Sequence, residues 1–192
     1  MHLFVLIMLS VCSYGQDRID GVWGVKFGEN VLNVKNKVYQ SQNIQPDYSS
    51  AIELTYFDAI LNGRKTDRLQ LKFYKDQLVS IVITFVTADL DSVYSDYLDI
   101  SNELISKYGE PTLSNWTIQN GNENEKDSSV INTALLIGDI MASNVWITKN
   151  SNEKLNNTRI TIQSGGSRKI LLVYADSKIE TGSEHGNTEG YR

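Results

Sequence analysis

Residues 89–111 read DLDSVYSDYLDISNELISKYGEP, the one long run in which apolar side chains recur at helical spacing. We expect a helix here, with Thr87 or Asp89 capping its first amides, Gly109 adopting a left-handed conformation at its end, and Pro111 preventing its continuation. The apolar stripe consists of Leu90, Val93, Tyr94, Tyr97, Leu98, Leu104, Ile105 and Tyr108. Because the rest of the chain reads as strand and turn, this helix is what a sheet would pack against.

Alternating apolar and polar residues on both sides of this segment predict strands. Residues 52–61 predict a half-buried strand, and Asn62-Gly63 predicts a hairpin after it. Residues 78–86, LVSIVITFV, are apolar on both sides, which is typical of a central strand covered on both faces. Further strands are expected at about 68–73, 116–118, 145–148, 159–163 and 169–175.

A short helix is expected near the start, capped by Asn30 and burying Val31, Val34 and Val38. Residues 119–129 read as a polar loop, and Gly165-Gly166 as a two-residue hairpin loop. The sequence therefore predicts an α+β fold: an antiparallel sheet of about six strands with one long and one short helix packed on one face.

The N-terminal residues predict an exported protein. The apolar run LFVLIMLSVC, followed by Ser13-Tyr14-Gly15, is typical of a signal peptide covering residues 1–15, with cleavage before Gln16. A lipoprotein signal with Cys12 as the lipidated residue is one alternative, and a buried N-terminal strand or helix is another. We expect a single domain over residues 16–178 and a disordered tail over residues 179–192.

The composition argues against a nucleic-acid partner. The net charge is -5, and the nearest approach to a basic patch is Lys26, Lys35 and Lys37, which fit a solvated helix face. The mature chain would contain no transmembrane segment, because the apolar run at residues 3–12 is about half the length that spans a bilayer.

The residue types available restrict the chemistry. Outside the expected signal peptide there is no Cys, and the single His, His185, falls in the expected tail, so a His- or Cys-based catalytic or zinc site is not expected. No phosphate-cradling glycine motif is present. We predict no catalytic, cofactor-binding or metal-binding residues and a chain that is not an enzyme. A hydrolase using two carboxylates stays open as an alternative, with Asp89, Asp91, Asp96 and Asp99 as the available acids.

Three tryptophans are the candidate partner-binding residues: Trp23, Trp116 and Trp146. Each lies in a short apolar alternation, so each fits either packing in the core or an exposed aromatic contact for a partner. The sequence leaves both interpretations open.

Five segments carry a resemblance to known proteins: WGVKFGE before a helix, FDA in a strand, LKFYKDQLVSI in a hairpin, KYGEP at a helix end, and Trp146 with LLVYAD in the last strands. Together they resemble small exported bacterial proteins of unassigned function, and more distantly the β-lactamase-inhibitor-protein-like and SmpA/OmlA outer-membrane assembly lipoprotein folds. The resemblance implies helices packed on an antiparallel sheet. The chain shows one clear copy of the helix-plus-sheet unit where the inhibitor proteins have two.

Export, the residue types and the resemblance together predict a non-enzymatic binding module of the bacterial cell envelope, periplasmic or secreted, with a protein partner. An accessory or inhibitor protein that regulates an exported enzyme is the alternative.

Overall fold

The computed structural model describes residues 22–87, 89–118, 127–148 and 158–176. The expected signal peptide and the expected tail lie outside these residues. Within them the elements follow in the order α1 (Val31–Gln42), β1 (Tyr48–Ser49), β2 (Glu53–Phe57), β3 (Ile60–Leu61), β4 (Arg64–Lys65), β5 (Arg68–Tyr74), β6 (Gln77–Val86), α2 (Val93–Tyr108), β7 (Leu113–Ile118), α3 (Ser128–Ile137), β8 (Ile140–Thr148), β9 (Thr158–Ser164) and β10 (Lys169–Asp176).

Most of the strands form one antiparallel sheet in the order β1-β2-β5-β6-β10-β9-β8-β7. The predicted α+β class is confirmed, but the expected strand and helix counts were wrong. The described residues contain eight strands in this sheet and three helices. The hairpin predicted at Asn62-Gly63 is present, yet it joins β3 to β4 in a separate two-stranded unit, so it is not the turn between the two long strands.

The sheet consists of two similar halves. α1 precedes β1, β2, β5 and β6, and α2 precedes β7, β8, β9 and β10, so each half is a helix followed by an antiparallel meander. The last strands of the two halves, β6 and β10, pair at the centre with Val82 opposite Val173. A two-fold axis perpendicular to the sheet therefore relates the two strand orders. The sequence shows one clear helix-plus-sheet unit because α3 lies between β7 and β8 and interrupts the succession of strands in the second half.

Helix α2 buries one face along its whole length. Val93, Tyr97, Ile100, Leu104 and Tyr108 are buried together with Ser101, whereas Leu90, which was expected in the stripe, is exposed. Of the two predicted caps, Asp89 is the N-cap of the 3-10 turn before α2 but makes no side-chain capping bond, and the Thr87 hydroxyl donates to the Asp89 carbonyl instead. A 3-10 turn, Leu90–Ser92, precedes α2, and Ser92 is the capping residue, without a side-chain bond. Gly109 ends the helix with a positive φ of 78°, but its ψ of -171° lies outside the expected left-handed helical conformation.

Helix α1 is held against the start of β6. Asn30 caps it as predicted, its side-chain oxygen accepting a hydrogen bond from the Asn33 amide at 2.8 Å. The Gly28 amide donates to the Leu78 carbonyl at 2.9 Å, and the Leu78 amide donates to the Glu29 carbonyl at 2.8 Å. This backbone pairing continues the ladder of β6 beyond Ser80, where its pairing with β10 ends.

Helix α3 was not predicted. Its sequence, SSVINTALLI, ends in a continuous apolar run in which no helical period stands out, and its cap, Asp127, falls inside the expected polar loop. Asp127 accepts a hydrogen bond from the Ser129 amide at 2.9 Å. Asn132 then links α3 to α2, because its side-chain oxygen accepts from the Tyr94 amide at 2.7 Å while its side-chain nitrogen donates to the Asp91 carbonyl.

The end of α3 packs closely on the loop between β9 and β10. This loop spans residues 165–168, so the expected two-residue turn at Gly165-Gly166 was too short. A Cβ atom on Gly165, whose φ is 152°, would lie 2.9 Å from the Ile140 carbonyl oxygen. The Gly166 amide donates to the Leu135 carbonyl at 2.7 Å. Glycine is therefore required at position 165 for both space and conformation.

We expect Gly165→Ala to lower the free energy of unfolding by about 2 kcal/mol or more, because it combines an unfavourable φ with a backbone clash. Gly63→Ala is the matched control, since Gly63 also has a positive φ, 79°, but has no atom within 4 Å of the added Cβ. The control should lose only about 1 kcal/mol. Urea unfolding of both variants measures the difference, and equal losses would show that the clash at position 165 is relieved.

Candidate functional site

The strand register divides the sheet into a covered face and an uncovered one. Residues directly opposite one another on paired strands point to the same face. The face bearing Ile83 and Leu172 is buried beneath the helices, and its side chains form one cluster with Val34 and Val38 of α1, Leu104 of α2 and Leu135 of α3. We call the other side of the sheet the open face. Its outward strand residues are not part of that cluster.

A band of small apolar and β-branched residues crosses the open face. The register aligns one row across seven strands: Thr55, Gln70, Val82, Val173, Thr161, Val145 and Leu113. Val82, Val173, Thr161 and Val145 are half-buried, and Leu113 is 59% exposed. Among the residues that the structure describes, no helix covers this row. The centre of the open face therefore retains accessible apolar surface.

Basic side chains surround this band. Arg68, Lys72, Arg159 and Lys169 all point to the open face and are exposed. The only acidic strand residue on this face is Glu53, in the described part of the sheet. The strand residues of this face thus carry four basic side chains and one acid, although the whole chain has a net charge of -5.

Glu53 sits at one corner and remains ionised. The Thr55 hydroxyl donates to its carboxylate at 2.7 Å and the Gln70 amide donates at 3.1 Å. These hydrogen bonds, first that of Thr55, together with the charges of Lys72 and Arg68, lower the pKa of Glu53. Its charge is thus fixed beside Lys72, which lies directly opposite, and the rest of the open face stays basic.

A shallow depression of about 250 Å³ lies at one end of the open face. Leu171 and Met141 supply apolar walls, and Arg68, Lys169 and Asp67 supply charge. None of these three charged groups forms a salt bridge with another residue of the described chain. The depression offers an acidic or amide group of a partner both cationic contacts and an apolar seat.

Trp146 is a core residue. It is fully buried, and its indole nitrogen donates to the Gly109 carbonyl at 2.7 Å, which ties β8 to the end of α2. A side chain with no exposed surface cannot contact a partner in this fold. The packing interpretation therefore applies to Trp146, and we withdraw it as a partner-binding candidate.

Trp116 and Trp23 lie in two other places. Trp116 is 40% exposed on β7, with its ring edge-on to Tyr94 and Tyr97 at centroid distances of 5.8 and 6.0 Å. Trp23 is half-buried at a cavity of about 210 Å³ between α2 and the β3–β4 hairpin. The polar groups at that cavity include Arg64, which donates to Glu103 at 2.9 and 3.1 Å. The structure does not bring the three tryptophans together as one surface.

The aspartates considered for a carboxylate-based hydrolase lie at the solvent-facing side of α2 and before it. Asp96 accepts a hydrogen bond from the Ser92 hydroxyl at 3.2 Å, and Asp99 lies 3.8 Å from the Arg64 guanidinium. Asp89 and Asp91 are exposed. Within residues 22–87, 89–118, 127–148 and 158–176, no three His, Cys, Asp or Glu side chains come together as a metal site.

Comparison of the chain with protein families, curated proteins and solved structures gives no match. Of the helices that the structure describes, none combines the length and the apolar character needed to cross a bilayer.

Two buried tyrosines have hydroxyl groups without a hydrogen-bond partner among the described residues, Tyr56 and Tyr97. Burial raises the pKa of both, that of Tyr56 to about 12. The unfolded chain loses the Tyr56 proton near the model-peptide value of about 10, whereas the folded chain retains it. The contribution of Tyr56 to stability is therefore fully present below pH 10 and declines as the pH rises toward 12.

We expect Tyr56→Phe to fold normally at neutral pH, because no hydrogen bond is lost, and to flatten the fall in unfolding free energy between pH 10 and 12. One titrating group contributes a slope of up to about 1.4 kcal/mol per pH unit. Tyr39→Phe, on the exposed surface of α1, is the control and should leave the slope unchanged. Urea unfolding at several alkaline pH values measures this slope of the unfolding free energy against pH. The same slope in both variants would exclude Tyr56 as the cause of the fall in stability.

Proposed function

We propose that this chain is an exported, non-enzymatic binding module of the bacterial cell envelope that uses the open face to bind a protein partner. The observation that carries the proposal is the open face itself: an apolar band, lined by exposed basic side chains, on a sheet whose other face is filled by helices.

The arrangement of this face matches what a protein interface needs. Interfaces have an apolar centre from which water is excluded and a polar rim that stays hydrated. On the open face, Val82 and Val173 lie at the centre, while Arg68, Lys72 and Arg159 lie in the flanking rows. Antiparallel sheets commonly leave one face to water, but that face is then usually polar, whereas this one keeps valine, leucine and isoleucine side chains accessible.

The charge distribution favours an acidic partner surface. Asp91, Asp96, Asp99 and Glu103 lie on the helix side, opposite the basic open face. A partner with negative charge is therefore attracted to one side of the molecule and repelled from the other. The four basic residues of the open face, Arg68, Lys72, Arg159 and Lys169, make a diffuse rather than a continuous patch. Such a patch fits a protein surface better than a nucleic-acid backbone.

The resemblance noted for the sequence agrees with this proposal. The inhibitor-like proteins contain two helix-plus-sheet units, and the two halves that meet at β6 and β10 have such a plan. The resemblance also leaves open that the partner is an exported enzyme and that this chain regulates it.

The charge of the open face can be tested by reversal. Arg68→Glu with Lys169→Glu should weaken partner capture from envelope extract by about tenfold or more at low salt, because two rim contacts become repulsive. Lys26→Glu with Lys35→Glu makes the same change in net charge away from the open face and should capture as the unaltered chain does. Quantitative mass spectrometry of the captured proteins measures both.

A stoichiometric partner retained by the reversed variant would contradict the use of the open face. Assay of the partner with and without this chain then separates simple binding from regulation of an exported enzyme. Turnover of glycan or ester substrates by the chain itself, lost when one Asp or Glu is changed, would contradict the non-enzymatic assignment.

Export is tested separately. We expect the protein recovered from cells to begin at Gln16, because residues 1–15 have the pattern of a cleaved signal peptide. Intact-mass measurement of the native protein checks this. A mass that includes Met1, or a lipid on Cys12, would contradict ordinary cleavage.

A further inference from the structure

The two edges of the eight-stranded sheet differ. At one edge β1 has only two residues, Tyr48 and Ser49, and Pro46 precedes it. At the other edge β7 has six residues, LSNWTI, with no charge and no proline. Natural proteins usually protect an edge with shortness, proline or charge, because its unpaired amides and carbonyls can accept another strand. A proline stands two residues before each edge strand, Pro46 before β1 and Pro111 before β7, so the edges differ in length: β1 is too short to accept another strand and β7 is not.

Exposed apolar side chains gather around β7. Leu113 is 59% exposed, Trp116 40% and Met141, on the neighbouring β8, 43%. Ile137, at the end of α3, is 66% exposed. Leu113 and Met141 point to the open face and Trp116 to the helix side, so accessible apolar surface lies on both sides of this edge. Such surface adds to the backbone hydrogen bonds of a paired strand.

We propose that β7 pairs antiparallel with β7 of a second copy of this chain. The strand suits itself as a partner, because a sequence without charge places no like charges opposite one another. Within the described sheet, β7 is also the one edge long enough to supply a partner strand. A second copy therefore provides the matching surface on both sides.

The symmetry of this contact follows from antiparallel pairing. The two-fold axis that relates adjacent antiparallel strands stands perpendicular to the sheet, as it does for β6 and β10 within one chain. Rotation about this two-fold axis leaves the open faces of both copies on the same side of the joined sheet. The dimer is one continuous sheet with two open faces side by side and all the helices on the other side.

Charge at the edge tests the contact in the registers that pair most of β7. Leu113 and Asn115 both point to the open face and are exposed. One variant carries Leu113→Lys with Asn115→Lys, and a second carries Leu113→Glu with Asn115→Glu. Each alone should be monomeric, because the two registers that pair five residues of β7, with the axis at Asn115 or at Trp116, place like charges directly opposite or diagonal to one another; an equimolar mixture should form a heterodimer. Ser49→Lys, on β1, is the control and should leave the dimer intact.

Sedimentation equilibrium of the purified chain gives the masses. A monomeric wild type, or a dimer that persists in both charged variants, would overturn the proposal. Hydrogen exchange of the wild type supplies a readout that needs no substitution: amides of β7 should lose protection on dilution while those of β5 keep it. Protection of β7 that is independent of concentration would equally overturn it. These outcomes do not depend on the envelope partner, because sedimentation and hydrogen exchange are measured on the purified chain alone.

Discussion

The pairing of β6 with β10 is the contact on which the rest of the structure depends. It runs from Ser80 opposite Ala175 to Val86 opposite Lys169 and joins the two halves through the middle of the sheet. Successive side chains of a strand point to opposite faces, so a slip of one residue would move Lys169 beneath the helices and Leu172 to the open face. Burial of apolar residues on the helix side therefore also fixes where the basic residues appear.

Local signals predicted the elements that depend on local physics. The period of α2, the cap at Asn30 and the turn at Asn62-Gly63 each arise from a few neighbouring residues, and each is present. Helix α3 was missed because a helix with apolar residues in succession shows no helical period. Asn132, whose side chain links α3 to α2, looks in the sequence like any other polar residue. The number of strands was underestimated because β1 has only two residues, Tyr48 and Ser49, too few to show an alternation.

The candidate site depends on register, which the sequence does not contain in any local form. Arg68, Arg159 and Lys169 are far apart along the chain, and only the strand pairings bring them to one face. Tryptophan was a reasonable guide to partner binding by residue type, but burial decides its role. Trp146 packs in the core, whereas Trp116 remains accessible at the edge. Alternation in β5 and β10 was the available signal, because it marks Arg68 and Lys169 as facing away from the core.

The central position of β10 has a consequence for when the chain can fold. β10 is the last described strand to be synthesised, yet it lies beside β6 in the middle of the sheet. β6, the longest strand of the first half, therefore has β5 beside it but lacks its second neighbour until nearly the whole chain is available. Contacts between residues so distant in sequence form slowly. A chain built in this order cannot complete its eight-stranded sheet before β10 has been synthesised. Under the export proposed above, the sheet is therefore still incomplete while the chain is being made.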